Sequence, residues 1–519
     1  MSRRSIIKWT VIGGIVAGAA FVAAASYMLR PGVVRRVVVD GLTRHLNLET
    51  ELDDISISLI PRPSVAGRGL RLRLPGRSDL PPFISIEHFT VNVGLLSVMR
   101  RHVDTVHADG LKIQVPPGEA RQDLPGGSGG NDQDAGGGRM AEIIVDHFIT
   151  HDAELRFVPR DPTKTPLVFK IHALDVYAVG FDRSMPFVAR LTNPVPTGLV
   201  EARGEIGPWI KSDGLATRVT GEYTFTDADL ATINGIGGTL QSQGNFAGHL
   251  TSIGAIGTAT IPNFSLDLGG RPIPLVATFD TTVDGSDGTT YLNRVDATMG
   301  STVMQVKGAI RNLEGPGRHQ VELEAAITDG RIEDVLALVI DSEKPVMTGD
   351  IVLHSKFVIP PGEARLRNRL TLEGTFGLAS TRFTDGGVQG KLTELSRRSQ
   401  GKDKDETMSR VMTNLRGKVR LKSGVASLTA LTFQVPGAQI GLDGTYGLAD
   451  ETLNFRGTLQ MKASMSKAVG GFKSIFIKPF DPLFRKNGAG AELPIKIQGT
   501  RKAPKFGVEV GRIFRSGEK

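Results

Sequence analysis

In the stretch Val321-Glu322-Leu323-Glu324-Ala325-Ala326-Ile327, the apolar residues Val321, Leu323, Ala325 and Ile327 recur every second position against Glu322 and Glu324. Side chains of a strand point alternately to its two faces, so this spacing predicts a β-strand with one apolar and one charged face. The same period extends outward in both directions. Val200, Ala202, Gly204 and Ile206 alternate with Glu201, Arg203 and Glu205, and Leu70, Leu72 and Leu74 stand against Arg71 and Arg73. Leu366, Leu370 and Leu372 face away from Arg365, Arg367, Arg369 and Glu373 on one expected strand, as do Val419 and Leu421 from Lys418, Arg420 and Lys422. Further strands are expected at Ile84 to Val93, at Val103 to Val115, and in succession from Ile143. The fold class is therefore mainly β, with antiparallel strands. Within this succession of strands, helical spacing appears at Asp227 to Ile233, Arg331 to Val339 and Gln389 to Arg397.

A Gly-x-large signature sits inside several of these strands: Gly204-Glu-Ile206, Gly221-Glu-Tyr223, Gly308-Ala-Ile310, Gly374-Thr-Phe376 and Gly444-Thr-Tyr446. The last three fall at a wide, similar spacing and read as a degenerate β repeat. An antiparallel sheet with one apolar face must cover that face. If the sheet closes on itself the face is a core; if it curls into a trough the face is a path for something apolar. Periodicity does not separate the two. Val321, Leu323, Leu370, Leu372, Val419 and Leu421 are the candidates for lining such a path.

At the N-terminus, Trp9 to Leu29 carries no charge and is long enough as a helix to cross a bilayer's hydrocarbon core. A signal-peptide h-region is shorter, about 7–15 residues, so a retained anchor is expected despite Arg3, Arg4 and Lys8 before it and Ala23-Ala24-Ala25 within it. Arg30, Arg35 and Arg36 follow the span, and charge alone does not orient it. A short helix is expected from Pro31 to Leu48. Glycine crowds residues Gly118 to Gly138, which predicts a disordered linker. The expected organisation is a stub and anchor over 1–30, an N-terminal β region over 31–117, a linker over 118–139, a β body over 140–463 and a closing region over 464–519. In that last region Val469, Phe472, Ile475, Phe476 and Phe480 follow helical spacing beside Lys467, Lys473, Lys478 and Arg485. Such a helix either caps the last strands or contacts an anionic membrane surface through Val469, Phe472, Lys473, Ile475, Phe476 and Lys478.

Composition bounds the chemistry. The 519 residues include 63 glycines and no cysteine, which removes disulfides, thiolate metal sites and cysteine nucleophiles. The net charge of +8 favours anionic surfaces, lipid headgroups before nucleic acid, since no nucleic-acid-binding motif accompanies it. There is no phosphate-cradling Gly-Lys-Ser/Thr loop, no Gly-x-Ser-x-Gly elbow and no His-Glu-x-x-His, so no enzyme activity and no cofactor are expected. His147 and His151 have metal-ligand spacing only on a helix, and their surroundings read as strand. Asp284-Gly-Ser-Asp287-Gly288 reads either as a calcium-type turn or as a hairpin turn.

The run Ile55-Ser-Ile-Ser-Leu-Ile-Pro61-Arg62-Pro63-Ser64, then Gly69-Leu-Arg-Leu72, Pro82-Phe83-Ile-Ser-Ile86 and Leu95-Leu96-Ser-Val-Met-Arg-Arg101, resembles the opening of the AsmA family and its chorein-like β region. Gly221 to Leu230, Gly235-Ile-Gly-Gly238, Ile261-Pro-Asn-Phe264 and Leu493-Pro-Ile-Lys-Ile-Gln-Gly-Thr-Arg501 with Pro504-Lys-Phe506 resemble the AsmA-like C-terminal region. The resemblance implies a single-pass inner-membrane protein with its body in the periplasm of a diderm envelope. It further implies an elongated, curled antiparallel β-sheet and similarity to bridge-like lipid transfer proteins, which carry glycerophospholipid chains along an apolar β-groove for outer-membrane biogenesis. The implied partners are phospholipid, the inner membrane, and an outer membrane or periplasmic protein at the far end. The alternative is a non-transporting scaffold or chaperone-like protein that aids outer-membrane protein assembly. Allowing ~22 strands at roughly 4.8 Å each, the body would be about 100 Å long.

Overall fold

The computed structural model describes residues 31–46, 48–58, 63–76, 81–94, 102–115, 144–158, 166–180, 182–210, 216–233, 235–249, 251–284, 288–313, 319–362, 364–400, 413–461 and 491–508. Strands make up 70% of them, in one large mixed sheet with few short helices. The expected anchor Trp9 to Leu29, the glycine-rich stretch 118–139 and the closing segment that holds Val469, Phe472, Lys473, Ile475, Phe476 and Lys478 lie outside the described residues. Among the described residues no helix is long and apolar enough to cross a membrane.

The chain opens with α1 (Pro31–Leu46), then β1 (Glu49–Glu51), β2 (Asp54–Ser58), β3 (Ser64–Arg73), β4 (Ile84–Asn92), β5 (His102–Asp109) and β6 (Lys112–Val115). It continues with β7 (Ile144–Phe157), β8 (Leu167–Val179), β9 (Met185–Pro194), β10 (Thr197–Ile206), β11 (Arg218–Asp229), β12 (Ile236–Gly237), β13 (Thr239–His249) and β14 (Ser252–Leu266). Next come β15 (Ile273–Val283), β16 (Thr290–Met299), β17 (Thr302–Asn312), β18 (His319–Arg331), α2 (Ile332–Ala337), β19 (Met347–Ile359), α3 (Leu366–Arg369), β20 (Thr371–Phe383) and α4 (Gly386–Ser399). The last strands are β21 (Thr413–Lys422), β22 (Val425–Val435), β23 (Ala438–Gly447), β24 (Thr452–Met461), β25 (Ala491–Thr500) and β26 (Ala503–Val508).

From β7 to β26 each strand pairs antiparallel with the next, with β12 a short side branch on β14. At the start, β1 and β2 share β3 as partner, and β5 and β6 together form one strand position between β4 and β7. That position runs parallel to β7. The strands flanking residues 116–143 are thus hydrogen-bonded neighbours, and the sheet passes unbroken through this point. A parallel pair needs a long connection between its two strands, unlike the tight turns of the hairpins.

Three short helical excursions, the 3-10 turn Leu230–Thr232, α2 and α4, leave the sheet from the same ends of their strands. Two of them begin at a capping aspartate, whereas α2 has no side-chain cap. Asp229 Oδ1 accepts from the Ala231 amide, and Asp385 Oδ1 accepts from the Val388 amide at the start of α4. α4 lays Leu392 and Leu395 on a cluster of Leu431, Phe433, Val435, Ala438, Ile440, Leu442, Phe455 and Leu459, while its buried Ser396 Oγ donates to the Pro436 carbonyl at 2.8 Å. At the other edge α1 packs on β1 and β2, with Arg35 Nε donating to the Leu52 carbonyl.

One expected strand is broken. Alternation placed Leu366, Leu370 and Leu372 together, but residues 366–369 form a helical turn and β20 starts at Thr371. Arg369 holds the turn by donating to the carbonyls of Ala364 and Pro360, both at 2.7 Å, and Leu366 is buried by contacts from the far side of the sheet. Alternation over so few residues does not encode those long-range partners.

Candidate functional site

Following the register from strand to strand gives one uninterrupted row across the sheet. It runs Ile55, Gly67, Phe89, Ala108, Thr150, Leu174, Ala189, Ala202, Tyr223, Gly244, Gly257 and Phe279. It continues through Val295, Val306, Ala325, Ser355, Gly374, Val419, Leu428, Gly444, Phe455, Ile497 and Phe506. No member is charged. A second row on the same face, two residues along each strand except at a bulge on β16, contains Phe187, Gly204, Gly221, Phe246, Ala255, Thr281, Leu292, Gly308, Leu323, Phe357, Leu372 and Leu421.

The glycine signature finds its reason here. Gly204 is the register partner of Gly221, and Gly244 of Gly257. A Cβ at Gly204 would lie 2.0 Å from the Thr220 carbonyl oxygen, and one at Gly444 would lie 2.4 Å from that of Asn454. Rings cover other glycines: a Cβ at Gly67, Gly221 or Gly257 would strike Phe89, Phe246 or Phe279. Glycine therefore marks where neighbouring backbones approach closely and strands bend, a register device that the sequence showed only as an irregular repeat.

The opposite face carries the charges. Lys307, Glu324, Lys356, Glu373 and Arg420 occupy matched positions on five adjacent strands, alternating in sign. Lys307 Nζ lies 3.2 Å from Glu324 and Arg420 Nε 2.8 Å from Glu373. Farther along, Arg190 pairs with Glu201, Arg203 with Glu222 and Arg294 with Asp296 around an open concavity of about 1120 Å³ whose lining includes the exposed Ile256. A coiled sheet is saddle-shaped and presents a hollow on each face. This one offers cations already engaged by carboxylates.

Coverage of the apolar face is uneven. From β8 to β13 the large side chains Leu174, Val176, Phe187, Leu191, Val200, Tyr223, Phe225 and Phe246 are half-buried. Tyr223 Oη lies 3.2 Å from Ser242 Oγ, and burial pushes its phenol above the ordinary range. From β15 onward buried clusters lie on parts of the face: Ile273, Met299 and Ala337; then Ile327, Ile332, Ile351 and Leu378; then the cluster beneath α4.

The six sequence-derived candidates separate accordingly. Leu323, Leu372 and Leu421 share the second row, bridged by Phe357; Val419 lies in the first; Val321 pairs with Ile310 and Ile359 nearer the strand ends. Val321, Leu323, Leu372 and Val419 are half-buried, whereas Leu370 and Leu421 are 5% and 6% exposed and packed with Leu268 and Leu366. The face of β8 to β13 escaped the sequence selection, although the signatures at Gly204 and Gly221 pointed into it.

His147 and His151 lie on β7 as strand residues. His147 Nε2 is 2.8 Å from Asp175 Oδ1 and its ring stacks on Tyr177 at 4.5 Å. Among the described residues no three His, Asp or Glu side chains converge as metal ligands. The Asp284 amide donates to the Thr289 carbonyl and the Gly288 amide to the Asp284 carbonyl, as in a hairpin turn. Compared with known proteins, the chain matches no protein-family model and no curated sequence.

Proposed function

We propose that this is an AsmA-like envelope protein, held by an N-terminal anchor in the inner membrane with its body in the periplasm, whose sheet curls into a groove that carries glycerophospholipid acyl chains. The observation that carries this reading is the uncharged row running from Ile55 to Phe506. Full burial of a Leu or Phe side chain is worth about 1.5–3 kcal/mol, so each half-buried one leaves ~1 kcal/mol unrealised. Eight such residues between β8 and β13 give an alkyl chain a gain on the order of several kcal/mol before binding costs. Backbone crowding at the glycines favours curling toward this face. Headgroup selectivity would be low, because burial recognises the tail. The same reading assigns no catalysis, cofactor or nucleic-acid partner.

The test is mass spectrometry of the purified full chain in mild detergent. Under native conditions the mass should exceed the denatured mass by one or more phospholipids. Equal masses would remove the reading. Retention of the intact chain in the membrane pellet after alkaline-carbonate extraction tests the anchor.

A second reading, a non-transporting scaffold for outer-membrane protein assembly, is favoured by one observation: between β15 and β24 clusters of the protein's own side chains are buried on the apolar face.

A further inference from the structure

Loops from opposite ends of the strands meet over the apolar face. Leu268 follows the end of β14 at which Phe264 pairs with Ile273. Leu370 and Leu421 belong to the other end, where Val321 pairs with Ile359 and Leu372 with Leu421. Yet Leu268, Leu366, Leu370 and Leu421 form one buried cluster, with Leu266, Val339, Phe357, Ile359 and Leu372 packed against it. Gly235, from the same end as Leu268, lies so near Leu366 that a Cβ there would come within 2.6 Å of the Leu366 Cβ. The Asp267 amide donates to the Gly235 carbonyl at 2.9 Å, and the Arg271 amide to the Ala337 carbonyl at 2.7 Å, which binds the near-end loops into one block. Five strands, β15 to β19, lie between the two partners of this clasp.

We propose that the clasp closes the apolar face at β18 to β21, and that the ligand-binding segment is the part from β8 to β14, which takes the alkyl chain of an amphiphile end-on and stops it at the clasp. This rests on the proposed lipid-binding function and narrows it from a through-path to a closed-ended site. Three observations support it. Clasp residues pack directly on Phe357 and Leu372, members of the second row, and so cross that row. Beyond the clasp a buried cluster lies on part of the face. Before it, Leu174, Phe187 and Phe246 stay half-covered. A face whose two rims can touch admits a thread-like apolar molecule and not a folded partner.

The experiment is reconstitution of the full chain from detergent into vesicles of phosphatidylethanolamine and phosphatidylglycerol doped with a phospholipid that carries a diazirine at one acyl terminus, followed by photolabelling. Labelled peptides should come from β8 to β14 and be absent from β21 to β24. Phe187→Asp, which puts an unpaired charge among the chain's contacts, should lower labelling about tenfold or more. Leu366→Asp, or the milder Leu268→Ser should the first not fold, should open the clasp and extend labelling to peptides containing Leu323 and Leu372. Even labelling on both sides of the clasp in the unaltered chain, or labelling confined to its far side, overturns the closed-end assignment while leaving lipid binding intact. No extension in a folded clasp variant also overturns it. No labelling anywhere, with no lipid in the native mass, removes the underlying function as well.

Discussion

Gly444 and Gly377 are both strand glycines, yet only one is required by its surroundings. A side chain at 444 would meet the Asn454 oxygen and Phe455, whereas nothing lies within 4 Å of a Cβ at 377. Gly444→Val is therefore expected to cost about 1–3 kcal/mol through overpacking, and Gly377→Ala to be near neutral, read as urea midpoints. On the charged face Arg420 is 68% exposed, and its pair with Glu373 is worth ~0.2–1 kcal/mol. Arg369 also looks like an outward strand residue in the sequence, but it donates to two backbone carbonyls that shape the Pro360 to Leu370 loop. Arg369→Ala is expected to exceed Arg420→Ala in cost, by roughly 1 kcal/mol per lost bond. Equal effects in urea titrations would count against that difference.

Among the elements, α2 is tied down by one carboxylate. Asp334 accepts from the Ser301 amide at 2.9 Å, from Ser301 Oγ at 2.8 Å and from Thr302 Oγ1 at 2.9 Å, joining α2 to the turn between β16 and β17. Hydrogen bonds to a charged acceptor are stronger than neutral ones, so Asp334→Ala should cost on the order of 2–3 kcal/mol. Amide exchange should accelerate first at Ser301 and along α2; uniform acceleration over the whole sheet would argue against a local clamp. Neighbouring Glu333 does a related job, accepting from the Gly349 amide and from Arg331. The positions of α2 and α4 were readable from helical spacing, and Asp385, which caps α4, is of a residue type that favours helix starts. The partners Ser301 and Pro436 were not, because they arrive from other strands.

For the whole molecule, roughly two dozen strand positions at ~4.8 Å give a sheet on the order of 110 Å along its curved path. Acid should weaken it in two separate windows. Burial lowers the pKa of His319 below its ordinary value, so the unfolded chain takes up the proton first and stability falls as pH drops below about 6.5. Glu322 behaves in the opposite chemical sense. Its hydrogen bond from Arg311 holds the carboxyl below the usual range, so that contribution is full above the unfolded value near 4 and is lost only in stronger acid. His319→Gln should remove the loss between pH 7 and pH 5.5 and leave the lower window in place, measured by urea midpoints across pH. An unchanged profile would mean that His319 does not carry the upper window.

By itself the sequence determined that this chain is mainly β, which residues of most strands share a face, and that helical turns follow β11, β18 and β20, because strand alternation and helical spacing depend on residues a few positions apart. The tertiary structure alone decided that Gly204 meets Gly221, that β5 and β6 run parallel to β7, and that Leu366 joins a buried cluster with Leu268 instead of extending a strand. Those contacts depend on twist and coil accumulated over many strands, and a two-residue period carries no record of either.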